Sequence, residues 1–207
     1  MPGWRKRRMA GTGWLLPPGN LFMRTIGASC QMLGRDWAEH EVQLFRSSHP
    51  GFPEPRVLDP RTIWLPHLPG EMLSSLRGAD LKEAAGSAFA ELARFHRLSA
   101  RTLHGDPHAG NFLYDREARR CRIIDFETNA PAKTNAAVAR AQDLLILALH
   151  LARLDGSTLE HLPAWRQAYG GTENDCPVAA MLRSPPAGLR LYWYLLGYRA
   201  RGVADLL

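Results

Sequence analysis

The sequence predicts an α+β protein, one domain or two small lobes, with short antiparallel strands and one helix over residues 1–69 and mainly helices over 70–207. Three observations carry this expectation. The first 69 residues alternate short apolar stretches with turn signals; Asp80 to Leu98 repeats apolar residues at helical spacing; two strand-like runs flank a charged turn between Asn111 and Phe126. At 207 residues and 45% hydrophobic content, the chain has enough apolar material for a real core.

A formal charge of +6 suits an anionic ligand, whether nucleotide phosphate, acidic lipid head group or nucleic acid. Cys30, Cys121 and Cys176 are scattered and form no Cys-x-x-Cys, which argues against a disulfide framework and fits a reducing compartment. The basic run Arg5 to Arg8 is followed only by Trp14-Leu15-Leu16 before Pro17-Pro18, too short for a signal sequence. Leu144 to Leu149 and Leu191 to Leu196, the longest apolar runs, fall far short of the ~20 residues that cross a bilayer. These features predict a cytoplasmic protein with no transmembrane segment.

In chain order, Trp4 to Ala10, Trp14 to Leu16 and Leu21 to Ile26 read as three short strands around Gly11-Thr12-Gly13 and Pro17-Pro18-Gly19-Asn20. The glycines at 11 and 13 allow backbone N–H groups close to phosphate oxygens, although the same pair also makes an ordinary turn. Asp36 and Glu39 resemble a helix start, after which Trp37, Glu41, Leu44 and Phe45 share one face. A carboxylate in that stripe wants a cation. Six prolines between Pro50 and Pro69 exclude a long helix there, while Arg61 to Leu65 reads as a strand and Pro66 to Glu71 as a connector.

Asp80 with Glu83 opens the clearest helix, with Leu81, Ala85, Ala88, Leu92 and Phe95 on its buried face. His96 lies near that face and is expected to pack or cap. Beyond Phe126 a short connection leads to Asp143 and the apolar helix Leu144 to Leu149; Ala187 to Leu207 reads as a final basic, aromatic helix. That helix either closes the second part or lies on an anionic membrane surface. No repeat, low-complexity tract or nucleic-acid-binding signature occurs.

The chemistry concentrates in His104-Gly105-Asp106-Pro107-His108-Ala109-Gly110-Asn111 and in Asp125-Phe126-Glu127. Asp106 can take a proton from an attacking hydroxyl, while Asn111 and Asp125 offer a neutral and a charged oxygen to Mg²⁺, which binds hard oxygen ligands. A hairpin with its turn at Asp115 to Arg120 would bring Asn111 and Asp125 together. A hydrolytic metal site is the alternative, with His104, Asp106 and His108 as ligands and His150 and His161 in reserve.

These paired motifs resemble the protein-kinase-like superfamily, in which Asp-x-x-x-x-Asn ends the catalytic loop and an Asp-Phe-Gly follows one hairpin later. Gly105 and Glu127 depart from the eukaryotic wording, and the pattern is closer to aminoglycoside and choline phosphotransferases, lipopolysaccharide core or Kdo kinases, UbiB-type proteins and small KEOPS-type kinases.

The resemblance implies a compact bilobal kinase-like fold that binds ATP and Mg²⁺ and passes the γ-phosphate to a hydroxyl. Asp106 would be catalytic, Asn111 and Asp125 would hold metal, and His104 and Asp143 would support the catalytic loop. Gly11 and Gly13 would approach the phosphates. Arg24 stands where the superfamily places a phosphate-holding Lys, with Glu41 as its partner. Backbone groups near His67 and Leu68 would meet adenine, with Glu71 either reaching the ribose or solvated.

The connection from Thr128 to Gln142 is too short for a peptide platform, and no Ala-Pro-Glu occurs. A saccharide, lipid-linked or small-molecule acceptor is therefore preferred to a protein Ser or Thr, with the protein cytoplasmic or peripheral at the inner membrane face. Arg24 in place of Lys motivates a second expectation, a catalytically weak pseudokinase or nucleotide-binding regulatory module.

Overall fold

The structure, a computed structural model, describes residues 2–8, 30–31, 34–98, 103–129 and 136–161. Gly11, Gly13, Arg24, the strands expected between 14 and 26, and the helix expected at 187–207 lie outside them. The described residues form an α+β arrangement of three α-helices, two three-stranded antiparallel sheets and one two-stranded ribbon.

The first sheet runs β1 (Gly3–Arg7), β4 (Thr62–Pro66), β3 (Arg56–Asp59) in spatial order. β4 is its centre because nearly every residue in it is buried, whereas β3 is exposed along its length. β1 pairs antiparallel with β4 from Gly3 opposite Pro66 to Arg7 opposite Thr62. Glycine is required at 3, where a Cβ would come within 2.4 Å of the Trp64 ring. At the β3–β4 turn Asp59 Oδ1 accepts the Arg61 N–H at 2.7 Å, an Asx-type closure beside Pro60.

Helix α1 (Gly34–Ser48) turns Trp37, Ala38, Glu41, Val42 and Phe45 inward, the stripe its sequence spacing predicts. Helix α2 (Gly78–His96) buries Leu81, Ala85, Ala88, Phe89, Leu92 and Phe95. Its alanines permit a close approach to strand β7 of the hairpin formed by β6 (Phe112–Asp115) and β7 (Arg120–Ile123). Three bonds fasten β7 to α2: the Cys121 N–H donates to Ser87 Oγ at 2.7 Å, its thiol to the Ala84 carbonyl at 3.4 Å, and the Ile123 N–H to Glu91 Oε1 at 3.4 Å. β5 (Glu71–Met72) completes this sheet against β6. Gly70, at φ +125°, enters β5 where a Cβ would lie 2.7 Å from the Tyr114 carbonyl oxygen.

Helix α3 spans Ala136–Leu154 and begins well before the expected start at Asp143. The alanines at 136, 137, 139 and 141 extend it toward the N-terminus, since alanine is the best helix former. Asp143 is thus an interior helix residue, 1% exposed, and not a carboxylate at a helix start. Between these elements, β2 (Cys30–Gln31) pairs antiparallel with β8 (Thr128–Asn129), the residues directly after Glu127.

A single apolar cluster joins α1, β4, α2, the hairpin and α3. Phe126 is fully buried in it, stacked on Phe95 with centroids 5.3 Å apart and tilted against His104 at 5.5 Å. Such aromatic contacts add to area burial, and here they anchor Phe126 beside the segment that begins at His104. No helix among the described residues is long and apolar enough to cross a membrane.

Candidate functional site

The hairpin places the two candidate metal residues side by side. β6 and β7 pair Phe112 with Ile123, and the Ile124 N–H donates to the Asn111 carbonyl at 2.9 Å, so Asp125 follows one residue past that contact. Asn111 sits at the end of a 3₁₀ turn, Ala109–Asn111, where His108 caps the start by accepting the Gly110 N–H on Nδ1. Its side-chain Nδ2 donates to the Asp106 carbonyl at 2.9 Å. That bond ties Asn111 to the proposed proton acceptor and leaves Oδ1 for a cation.

Asp125 adopts a left-handed backbone, φ 69°, uncommon outside glycine and better tolerated by Asp than by most residues. Its carboxylate, about a third exposed, meets the Lys6 ammonium. The same ammonium lies 2.8 Å from Glu41 Oε1, 2.9 Å from Glu41 Oε2 and 2.8 Å from Glu127 Oε1. Lys6 therefore answers the cation demand of Glu41, a role expected of Arg24. The reason is strand geometry: alternation along β1 turns Lys6 and Arg8 toward Trp37 and Glu41, whereas Arg5 and Arg7 are exposed.

Burial disfavours the Lys6 ammonium, but Glu41, Asp125 and Glu127 together outweigh it and hold its pKa above the ordinary value. Burial dominates at Glu41, whose carboxyl is pushed up to about 7 against the pull of Lys6. Arg8 Nη2 approaches Glu127 Oε2 at 4.0 Å, with its guanidinium 4.7 Å from the centre of the Trp37 ring. Glu41, Asp125 and Glu127 place one ligand oxygen each within 4.8 Å of one another. These three oxygens form a compact donor set of the hard type that divalent metal ions bind.

The loop carrying Asp106 is held from behind. Asp143 accepts the His104 N–H at 2.8 Å and the Gly105 N–H at 2.8 Å, and His96 Nε2 lies 2.9 Å from its Oδ2. Gly105, at φ 83°, takes a conformation open to glycine. His104 is fully buried, with Nε2 2.8 Å from the Ile124 carbonyl and the Asp106 N–H donating to Nδ1 at 3.3 Å. That pattern defines the neutral tautomer with its proton on Nε2, and burial keeps the pKa below the ordinary histidine value.

Asp106 itself is half exposed, 4.0 Å from His108 Nε2. Burial of its surroundings, with Asp125 and Asp143 nearby, raises its pKa while His108 and His104 oppose the rise. Both ring nitrogens of His104 are already engaged, which removes it as a metal ligand and with it the His104–Asp106–His108 triad expected for a hydrolytic site.

In the connector after β4, one of the backbone groups expected near adenine is already engaged. The His67 N–H donates to the Pro2 carbonyl at 3.2 Å, because β1 continues beside β4 to this point, so that group is not open to adenine. The Leu68 side chain is buried in the core. Glu71 is exposed and pairs with Arg116 on the hairpin turn.

Lys6, Arg8 and Glu127 are the site residues that carry no assigned role in the sequence. The available signal for Lys6 was its strand alternation inside Gly-Trp-Arg-Lys-Arg-Arg, which reads first as a plain basic run. Comparison with protein-family models and with curated proteins finds no match for this chain.

Proposed function

We propose that the protein is an ATP- and Mg²⁺-dependent phosphotransferase with a kinase-like bilobal fold, its first lobe ending near residue 69, that transfers the γ-phosphate to a hydroxyl. One observation carries this reading: the ion pair of Lys6 with Glu41, formed against Asp125 and beside the loop from Asp106 to Asn111. A strand Lys paired with a helix Glu, next to a metal-binding Asp, is the constellation protein kinases use for phosphoryl transfer.

In this reading Lys6 is the phosphate-holding cation and Glu41 orients it. Asn111 and Asp125 supply the hard oxygens for Mg²⁺, which offsets phosphate charge when bound. Asp106 orients the acceptor hydroxyl and takes its proton, and its raised pKa makes it a better base than an ordinary Asp. Asp143 and His104 fix the loop on which Asp106 rides. Positioning and electrostatics are thus the main contributions of the chain.

Lys6 in the role expected of Arg24 removes the motive for a pseudokinase, and the engaged His104 weighs against a hydrolase. The short connection after Glu127 favours a saccharide, lipid-linked or other small acceptor over a peptide. ATP as donor suits the cytoplasmic placement that the scattered cysteines suggest.

The test is a thermal-shift series with ATP and Mg²⁺, ATP alone and Zn²⁺ alone. Ligand at a hundred times its Kd stabilises by ~2.7 kcal/mol. A shift with ATP that needs Mg²⁺ is expected, followed by γ-phosphate transfer in an acceptor screen. A response to Zn²⁺ only, or no ATP response, would overturn the reading.

A further inference from the structure

The face of the first sheet turned away from Glu41 has no part in the site described above. Register fixes what stands on it. Arg5 on β1 and Arg56 on β3 both pair with Trp64 on β4, and two positions along β4, Arg7 and Asp59 both pair with Thr62. Directly paired side chains share a face, and alternation puts these two rows opposite the row of Lys6, Ile63 and Val57, whose Lys6 meets Glu41.

This outer face is positive. Arg5, Arg7 and Arg56 are exposed and make no ion pair among the described residues. Asp59, the one carboxylate in the two rows, is turned onto the Arg61 N–H at 2.7 Å. Glu54, just before β3, is taken up by Arg46 at 2.6 Å. Every cation in these rows is an arginine, whose planar fork matches phosphate oxygens.

The Trp64 ring lies along the sheet between these cations. A Cβ on Gly3 would fall 2.4 Å from its Cζ2, 2.5 Å from Cε2 and 2.7 Å from Nε1, so the indole fills the space above Gly3 that a side chain would take. One side of the ring is thus pressed on β1, and the residue stays partly exposed on the other. No guanidinium covers it: the cation–π contacts among the described residues fall on Trp37 and Phe52.

An open aromatic face flanked by guanidiniums matches the two repeating chemistries of a single nucleic-acid strand. Bases stack on such rings whatever their sequence, and a positive surface tracks the backbone. Strand spacing sets Arg5 and Arg56 about 5 Å to either side of Trp64, and Arg5 and Arg7 about 7 Å apart along β1. A duplex hides its base faces and offers grooves suited to a helix or a two-stranded ribbon. A membrane surface takes up apolar side chains that project into it, whereas this indole is laid flat.

We propose that the outer face of β1, β4 and β3 binds single-stranded nucleic acid, with a base stacked on Trp64 and neighbouring phosphates on Arg5, Arg7 and Arg56. Three separate strands contribute to it, so no single stretch of the sequence displays it. It lies on the other side of the sheet from Lys6 and does not depend on the phosphotransferase reading.

Fluorescence anisotropy with a labelled oligouridine of about a dozen residues tests it on the whole chain, beside a duplex RNA of equal length and sedimentation with phosphatidylserine vesicles. The oligouridine should bind tenfold or more tighter than the duplex, lose affinity as salt rises, and quench indole emission at saturation. Arg5→Glu and Arg56→Glu should each weaken it at least fivefold. Arg120→Glu, the same charge change at an exposed position on β7, should weaken it no more than twofold. These three side chains are exposed, so the unfolding midpoints should stay at the wild-type value. Trp64→Phe keeps a ring over Gly3 and should lose most of the quench. Absence of oligouridine binding at low salt, equal or tighter binding of the duplex, and equal losses in Arg5→Glu and Arg120→Glu would each overturn the proposal. So would a quench that survives Trp64→Phe, or binding to the vesicles alone.

Discussion

The Lys6 ammonium lies 2.8 Å from the Glu41 carboxylate across a sequence separation of 35 residues, and Glu41 is wholly buried. Removing one partner of such a pair strands a charge in the interior and costs about 3–5 kcal/mol, whereas replacing both with apolar groups is often neutral. Lys6→Met should therefore be strongly destabilised in urea, and Lys6→Met with Glu41→Leu should recover most of the loss. A double variant no more stable than the single one would mean that Glu41 does not depend on Lys6.

The same carboxyl sets a pH dependence. Its folded pKa of about 7 exceeds the ordinary 4.5, with burial the largest cause. The folded state then binds the proton more tightly than the unfolded one. The resulting stabilisation is complete below about 4.5 and is lost as pH rises through about 7. Glu41→Gln cannot titrate, so its urea midpoint relative to wild type should climb across that window.

His49 acts with the opposite sign. Buried against Phe45 and bonded to the Ile123 carbonyl at 2.9 Å, it has a folded pKa of about 4 against an ordinary 6.5. Its contribution is complete above about 6.5 and is lost as pH falls toward about 4. His49→Gln should flatten the acid side of the stability profile, measured by urea midpoints between those pH values.

Asp106 and Asp125 should fail differently. Asp125→Ala is expected to abolish Mg²⁺-dependent ATP binding and turnover together, while Asp106→Asn keeps ATP binding and loses transfer by a factor of about 10²–10⁴. Equal ATP affinity in wild type and Asp125→Ala would remove the metal role from Asp125. In the wild type the rate should rise with pH along a limb displaced above that of an ordinary Asp, because Asp106 must be ionised to act and its pKa is raised.

Asp143 accepts two backbone N–H groups and faces His96 from a position 1% exposed. Asp143→Ala leaves several buried groups unsatisfied at about 1–3 kcal/mol each. Its urea midpoint should fall far more than that of Asp143→Asn, whose amide oxygen can still accept from the loop.

The parts of the fold that were legible in the sequence have local patterns. α1, α2, β4 and the β6–β7 hairpin repeat apolar residues at their own periods, and each lies within a residue or two of where that spacing puts it, except that β7 ends at Ile123 and not at Phe126. β3 was missed because Arg56–Asp59 is an exposed edge strand with no buried face to pattern it. β5 and β8 are two residues each, too short to carry a period. The start of α3 was displaced because alanines give propensity without an apolar signal.

In the site, Asp106, Asn111 and Asp125 stand in one readable segment, whereas Lys6 belongs to it only through pairing of β1 with β4, about sixty residues away. No spacing rule within a basic run can announce a partner at that range. The hydrogen bond between His67 and Pro2 was hidden for the same reason.

The contact between Lys6 and Asp125 joins residues 119 apart in sequence. α2 and the hairpin gather from neighbouring residues, and closing a loop of that length carries an entropic cost met only once both ends are already ordered. During refolding, the helices and the hairpin should thus precede the ammonium's arrival among its carboxylates. The molecule acquires its shape before it acquires its charge pattern, and any nucleotide capture that relies on Lys6 becomes a reporter of the last step of its maturation.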